Sequence, residues 1–115
     1  MLRLDKSNTF AYLSIARLYF QKKMDKEAAR ILRKGIRYGK NAQALVAYCY
    51  AQGRDFISEG EVARSIPCFQ LIAQNSPDQR PQFYNLLGEL YQGLGFDDEA
   101  LRNFTLATLE AKPLP

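Results

Sequence analysis

Histidine is missing altogether from this 115-residue chain. Its absence removes the Ser/His and Cys/His nucleophile pairs and most zinc sites, all of which need an imidazole. Cysteine is almost as scarce: Cys49 and Cys68 stand singly, without metal-ligand spacing. The expectation is two buried thiols in a reducing, cytoplasmic compartment rather than a disulfide. No apolar run approaches the length of a membrane span, and no charged-then-apolar leader marks a secretory signal. No stretch alternates with period two, so no sheet is expected. Glu59 with Glu61, and Asp97 with Asp98 and Glu99, sit at predicted helix starts, where capping and helix-dipole effects account for them. Gly93-Leu94-Gly95 is too short for a phosphate loop and follows no strand. These absences argue against an enzyme and against any bound cofactor or metal.

What is present suits one soluble globular domain, with 47% apolar and 24% charged residues. The net charge of +4 hides an asymmetry. Residues 1–40 carry 11 basic and 3 acidic side chains, a net of +8, whereas residues 41–115 carry 5 and 9, a net of −4. Such a division steers an acidic partner or makes stacked units complementary head to tail.

Four columns of residues recur. Small residues stand at Ala16, Gly53 and Gly88, and aromatics at Tyr19, Phe56 and Tyr91. Small residues return at Ala28, Ser65 and Ala100, and bulky apolar ones at Leu32, Phe69 and Phe104. Every column steps by 37 and then 35 residues. A shared step of this size means repeated helical pairs. Apolar periodicity places helices over 7–21, 25–38, 42–58, 61–74, 81–93 and 97–111. Ser7 or Asn8 serves as the first N-cap, Gly39 suits a left-handed end to the second helix, and Pro81 suits a first turn. The fourth helix stops before Ser76-Pro77. Pro67 falls just inside its second turn, where a mild kink is tolerable although a proline deeper in a helix costs ~3 kcal/mol. The longer first step puts extra residues near Gln43–Leu45 and predicts a lengthened third helix.

These columns resemble the tetratricopeptide repeat family, whose unit is a helix–turn–helix of about 34 residues. The third repeat matches best, through Tyr84, Leu87, Gly88, Tyr91, Gly95, Glu99, Ala100, Phe104 and Ala107. The first matches through Tyr12, Ile15, Ala16, Tyr19, Ala28, Leu32 and Gly35, and the second through Gly53, Phe56, Gly60, Ser65, Phe69 and Pro77. Gln52 stands where a leucine is usual. The resemblance implies an all-α fold of three antiparallel helix–turn–helix hairpins stacked as a right-handed α-solenoid. Residues 1–115 form one such domain, with repeats over about 8–42, 43–79 and 80–113. Residues 1–7 resemble the tail of a preceding repeat, so we expect a segment of a longer array; a small protein with a short N-terminal arm is the alternative.

In that family the first helix of each pair lines a concave groove. The resemblance therefore places Phe10, Leu13, Arg17, Phe20 and Gln21 there in the first repeat, Tyr50 and Arg54 in the second, and Asn85 and Glu89 in the third. Arg17 and Arg54 are equivalent in register; aimed into one channel beside Tyr50 and Phe20, they would clamp a carboxylate and hold an apolar side chain. Ordinary solvated or intramolecularly paired arginines are the alternative. The family's chaperone-tail binders use lysine and asparagine where this chain has Leu13, Arg17, Ala51, Gln82 and Leu86, which argues against that ligand.

A second surface is the stripe Lys26, Arg30, Arg33 and Arg37, with Lys34 beside it, on one face of the second helix. Such a row contacts nucleic-acid phosphate, anionic lipid or an acidic protein, or is merely solvated. No aromatics interleave with it to stack bases, so nucleic acid is not the expected partner. The expected function is a protein–protein interaction module that holds a peptide or helix of a partner, acidic in character, within a larger scaffold or assembly factor. Alternatives are a small secretion-type chaperone, and RNA or anionic-surface binding through the stripe. Self-association by end-to-end stacking is a further expectation.

Overall fold

The computed structural model describes Asp5 and residues 7–110. Among the described residues there are six α-helices and no strand. They are α1 (Thr9–Gln21), α2 (Asp25–Tyr38), α3 (Ala42–Ser58), α4 (Val62–Asn75), α5 (Arg80–Gly93) and α6 (Asp97–Glu110), with a short 3-10 turn at Pro77–Gln79. Neighbours in sequence pack as pairs: α1 on α2, α3 on α4, α5 on α6. Of residues 1–7, expected as the tail of a preceding repeat, 1–4 and 6 lie outside the described residues, as does the expected helix end at Ala111.

One turn design closes all three pairs. In each, the second residue after the helix is left-handed: Lys23 (φ 60°), Gly60 (φ 78°) and Gly95 (φ 85°). The following amide, of Met24, Glu61 or Phe96, donates back to the carbonyl of Tyr19, Phe56 or Tyr91 at 2.8–2.9 Å. This is the Schellman arrangement, which satisfies carbonyls that a helix end would otherwise leave unpaired. The aromatic column of the sequence is thus the third residue from each helix end. In the last pair its ring also meets the residue beyond the turn, Tyr91 against Phe96 edge-on at 6.4 Å.

The small column has an equally direct cause. A methyl group on Gly53 would lie 2.7 Å from the Phe69 ring, and one on Gly88 would lie 2.6 Å from the Phe104 ring. Both glycines exist so that an aromatic can lie flat on the partner helix. In the first pair the equivalent residues, Ala16 and Leu32, are both fully buried, and a smaller side chain opposes the extra methyl.

Asn8 caps α1 by accepting the Ala11 amide at 3.2 Å, and Asn41 caps α3 by accepting that of Ala44 at 3.1 Å. The expected lengthening of α3 is present: 17 residues to the 13 of α1, a full extra turn. Gly39 corrects the sequence reading. It is extended (φ −72°, ψ 159°), not left-handed. Its lack of a side chain serves close approach instead, since a methyl there would lie 2.6 Å from the Gly35 carbonyl oxygen and 3.0 Å from Thr9 Oγ1. Thr9 Oγ1 in turn accepts the Asn41 amide at 3.0 Å. Glu61 is a second correction: its carboxylate caps nothing and pairs with Arg64 instead.

The core centres on α4. Ser65, Ile66, Cys68, Phe69, Leu71, Ile72 and Ala73 are all buried there, whereas α6 buries only Ala100 and Asn103. Pro67 is accommodated in α4. The carbonyl deprived of its donor belongs to Ala63, an exposed residue.

Candidate functional site

Along α1, α3 and α5 two openings sit at opposite ends of α3. The first, about 450 Å³, lies between the N-terminal halves of α3 and α5. Val46, Ala47 and Tyr50 form one wall, Phe83 the other, Ile72 of α4 the floor, and the amides of Gln43 and Gln79 the rim. Its rings are mutually ordered: Phe83 stacks on Phe69 at 6.0 Å, and Tyr50 meets both edge-on at 6.2 and 6.3 Å. The extra turn of α3 supplies Gln43 of the rim, and the 3-10 turn brings in Gln79. Arg54, one turn on, lies over the Tyr50 ring at 5.7 Å.

The second opening, about 470 Å³, lies between the C-terminal halves of α1 and α3 and is polar. Arg17, Gln21, Tyr48, Gln52 and Asp55 line it. The Arg17 guanidinium lies over the Tyr48 ring at 6.0 Å, and the Tyr48 hydroxyl donates to Gln52 Oε1 at 3.1 Å. Burial pushes the Tyr48 phenol up to about 12, against the opposing effect of the Arg17 charge.

The residues named from the sequence divide accordingly. Arg17 and Arg54 share a register but not a channel, because Tyr48 and Tyr50, on which they rest, lie on opposite sides of α3. Tyr50 lines the apolar cleft, and Gln21 the polar opening. Phe20 is no free groove contact: it is 5% exposed, edge-on to Phe56 at 5.4 Å, and contributes only floor to the polar opening. Leu13 packs against the core. Phe10 is exposed at the far end of α1, beside Lys40 and Asn41. Asn85 and Glu89 are exposed and hydrogen-bond to each other along α5 at 3.5 Å. On α2, Lys26, Arg30, Arg33, Lys34 and Arg37 are all exposed. None of them enters an ion pair among the described residues.

Two arginines escaped the sequence reading. Arg64 forks onto Asp25 through Nε and Nη2 at 2.8 and 2.9 Å, and donates from Nη2 to the Phe20 carbonyl at 2.9 Å. It also pairs with Glu61 at 2.8 Å and stacks on Phe56 at 4.3 Å. Arg80 donates to the Ala73 and Gln74 carbonyls at the end of α4 and approaches Glu110 at 3.8 Å. Only the Glu61–Arg64 spacing was a local signal; Asp25 is 39 residues from Arg64.

Among the described residues no helix is long and apolar enough to cross a membrane, and no acidic or cysteine cluster could hold a metal ion. No protein-family model, no curated protein and no solved structure matches the chain.

Proposed function

We propose that the chain is a tetratricopeptide-like repeat domain, its three helix pairs following one another as a right-handed solenoid. In this reading it binds a peptide or helical segment of a partner protein along the face of α1, α3 and α5. The shared turn design, the recurrent ring-on-glycine contacts and the pairwise packing of six helices support the repeat. The observation that carries the binding reading is the aromatic cleft between α3 and α5. A concave apolar pocket with a few polar groups at its rim is the usual form of a recognition site. Its occupant is a bulky apolar side chain, and Arg54 at its edge selects an acidic neighbour on the same segment. A scaffold or assembly role follows from such capture.

Selection from a displayed random-peptide library tests this. Enriched peptides should carry a large apolar residue within one helical turn of a carboxylate. Ala47→Trp, which fills the cleft, should weaken the selected peptides at least ~10-fold by calorimetry, in line with loss of a central anchor. Arg54→Glu should weaken the acidic members most. Peptides that bind Ala47→Trp as tightly as the unaltered chain would place recognition elsewhere.

A further inference from the structure

The basic face of α2 stands apart from that cleft and has a different chemistry. Its five cations are exposed, and α2's own acids offer them little: Asp25 is held by the Arg64 fork, and Glu27 is half-buried. Elsewhere Arg64, Arg80 and Arg102 each have a carboxylate partner, unlike the row. Lys22 and Lys23 before the helix and Lys40 after it are exposed as well, although Lys23 borders the polar opening between α1 and α3. Spacings of four, three and four residues set the guanidinium and ammonium groups about one helical turn apart, along a line rather than over a disc.

This line leads into a cleft. Between α1 and α2, Ala11, Tyr12, Ile15, Ile31, Lys34 and Tyr38 enclose about 390 Å³, with Asp5 at its border. Lys34, beside the row, and Tyr38, one turn further along α2, both line the cleft. Tyr38 is 50% exposed, with the Arg37 guanidinium over its ring at 5.4 Å. Along α2 itself the row lacks interleaved aromatics, as the sequence indicates. The fold supplies them from the side, by bringing Tyr12 of α1 beside Tyr38.

We propose that this face binds single-stranded nucleic acid, with phosphates along Lys26, Arg30, Arg33 and Arg37 and a base in the Tyr12–Tyr38 cleft. A cationic track joined to an aromatic-walled cleft is the pairing that single-strand recognition uses. The Asp5 carboxylate at the border repels phosphate, which favours entry of the uncharged base. A membrane surface fits less well: α2 spends its apolar side (Ala28, Ala29, Leu32, Gly35) in the core and has none to insert. An acidic protein helix would match the row but leave the aromatic cleft unused.

Fluorescence anisotropy on the intact chain decides the matter, with labelled oligouridylate and oligoadenylate of about 12 nucleotides as probes, a length within the site sizes of single-strand binders. The comparison ligands are a duplex of equal length, polyglutamate, and phosphatidylserine-containing vesicles. The single strands should bind tightest, with a log–log salt slope of about −3 for about four phosphates. Joint Arg30→Glu, Arg33→Glu and Arg37→Glu should lower affinity ~100-fold or more and flatten that slope. Tyr38→Ala should lower it ~5- to 100-fold with the slope retained, and Tyr38→Phe should stay near the unaltered chain. Tyr50→Ala, in the other cleft, should change nothing. Equal binding of duplex, polyglutamate or vesicles overturns the proposal. So does full affinity in Tyr38→Ala, or no binding of either single strand at low salt.

Discussion

The junction between the first two helix pairs is built differently from the junction between the last two. At the first, α3 packs on both α1 and α2, and α4 packs on α2. At the second, only α4 brings its backbone close to α5; no Cα of α3 comes within 8 Å of α5, nor any of α4 within 8 Å of α6. One residue position differs tellingly between them. Gly35 lets α2 and α3 close until Leu45 and Tyr12 occupy the space a methyl group would need, at 2.5 and 2.8 Å. Thirty-seven residues on, the equivalent position is Ile72, 1% exposed, which fills the gap and becomes the floor of the aromatic cleft. Rings rather than backbone then span α3 to α5. The open junction thus holds the aromatic cleft, and the closed junction holds the polar opening between α1 and α3.

The largest expected effect comes from cutting the tie across the closed junction. Arg64→Ala removes the fork to Asp25 and the bond to the Phe20 carbonyl, and leaves a partly buried carboxylate without its partner. It should cost about 3 kcal/mol in urea unfolding. Amides of α1 and α2 should lose hydrogen-exchange protection first, while α5 and α6 change little. Uniform loss across all six helices would show that the two junctions open as one unit.

Gly35→Ala tests the closed junction by size. In an open helix this change gains up to about 1 kcal/mol. Here the added methyl meets backbone-anchored Tyr12 Cβ as well as Leu45, so a net loss of about 1–3 kcal/mol is expected. Gly93→Ala is the control, since nothing lies within 4 Å of the added atom. It should be neutral or mildly stabilising.

Alkali should act on α3 and α4, the pair common to both junctions. Burial pushes the Cys49 thiol up to about 12 from 9.0, and it raises Cys68 as well. Each thiol ionises more easily unfolded than folded. Its stabilising effect is therefore complete below pH 9 and is lost as pH climbs toward the folded value. Stability should fall by about 1.4 kcal/mol per pH unit for each thiol above pH 9. Cys49→Ala should remove one such contribution from the slope while costing some packing, as urea titrations between pH 8 and 11 would show.

How much of this was legible in the sequence follows from the range of each interaction. Helix bounds, the Asn8 cap and the extra turn of α3 depend on residues within a few positions of one another, and periodicity reveals them. The small-on-bulky columns repeat three times, with a ring on a glycine in two of them, so recurrence exposed them although Gly53 and Phe69 are 16 residues apart in sequence. Junction contacts occur once. Nothing near Arg64 announces Asp25, and nothing near Gly35 or Ile72 says which junction closes. Phe20 was placed in the groove because helical register alone cannot tell a rim residue from one covered by the next pair. Tyr12 and Tyr38 stand 26 residues apart, and only the packing of α1 on α2 makes them walls of one cleft.

The smallest effect separates the pairs by their turns. Gly60 and Gly95 adopt the left-handed conformation without penalty, whereas Lys23 adopts it with a Cβ. That geometry costs a non-glycine residue roughly 1 kcal/mol. Lys23→Gly should therefore stabilise the chain by up to about 1 kcal/mol, less the entropy a glycine adds to the unfolded state. Gly60→Ala and Gly95→Ala should each destabilise by about 1 kcal/mol, because nothing lies within 4 Å of either site and only the backbone is at stake. Opposite signs at equivalent positions would establish that one turn design serves all three pairs. A loss in Lys23→Gly would mean that the lysine side chain contributes more to the end of α1 than its backbone strain costs.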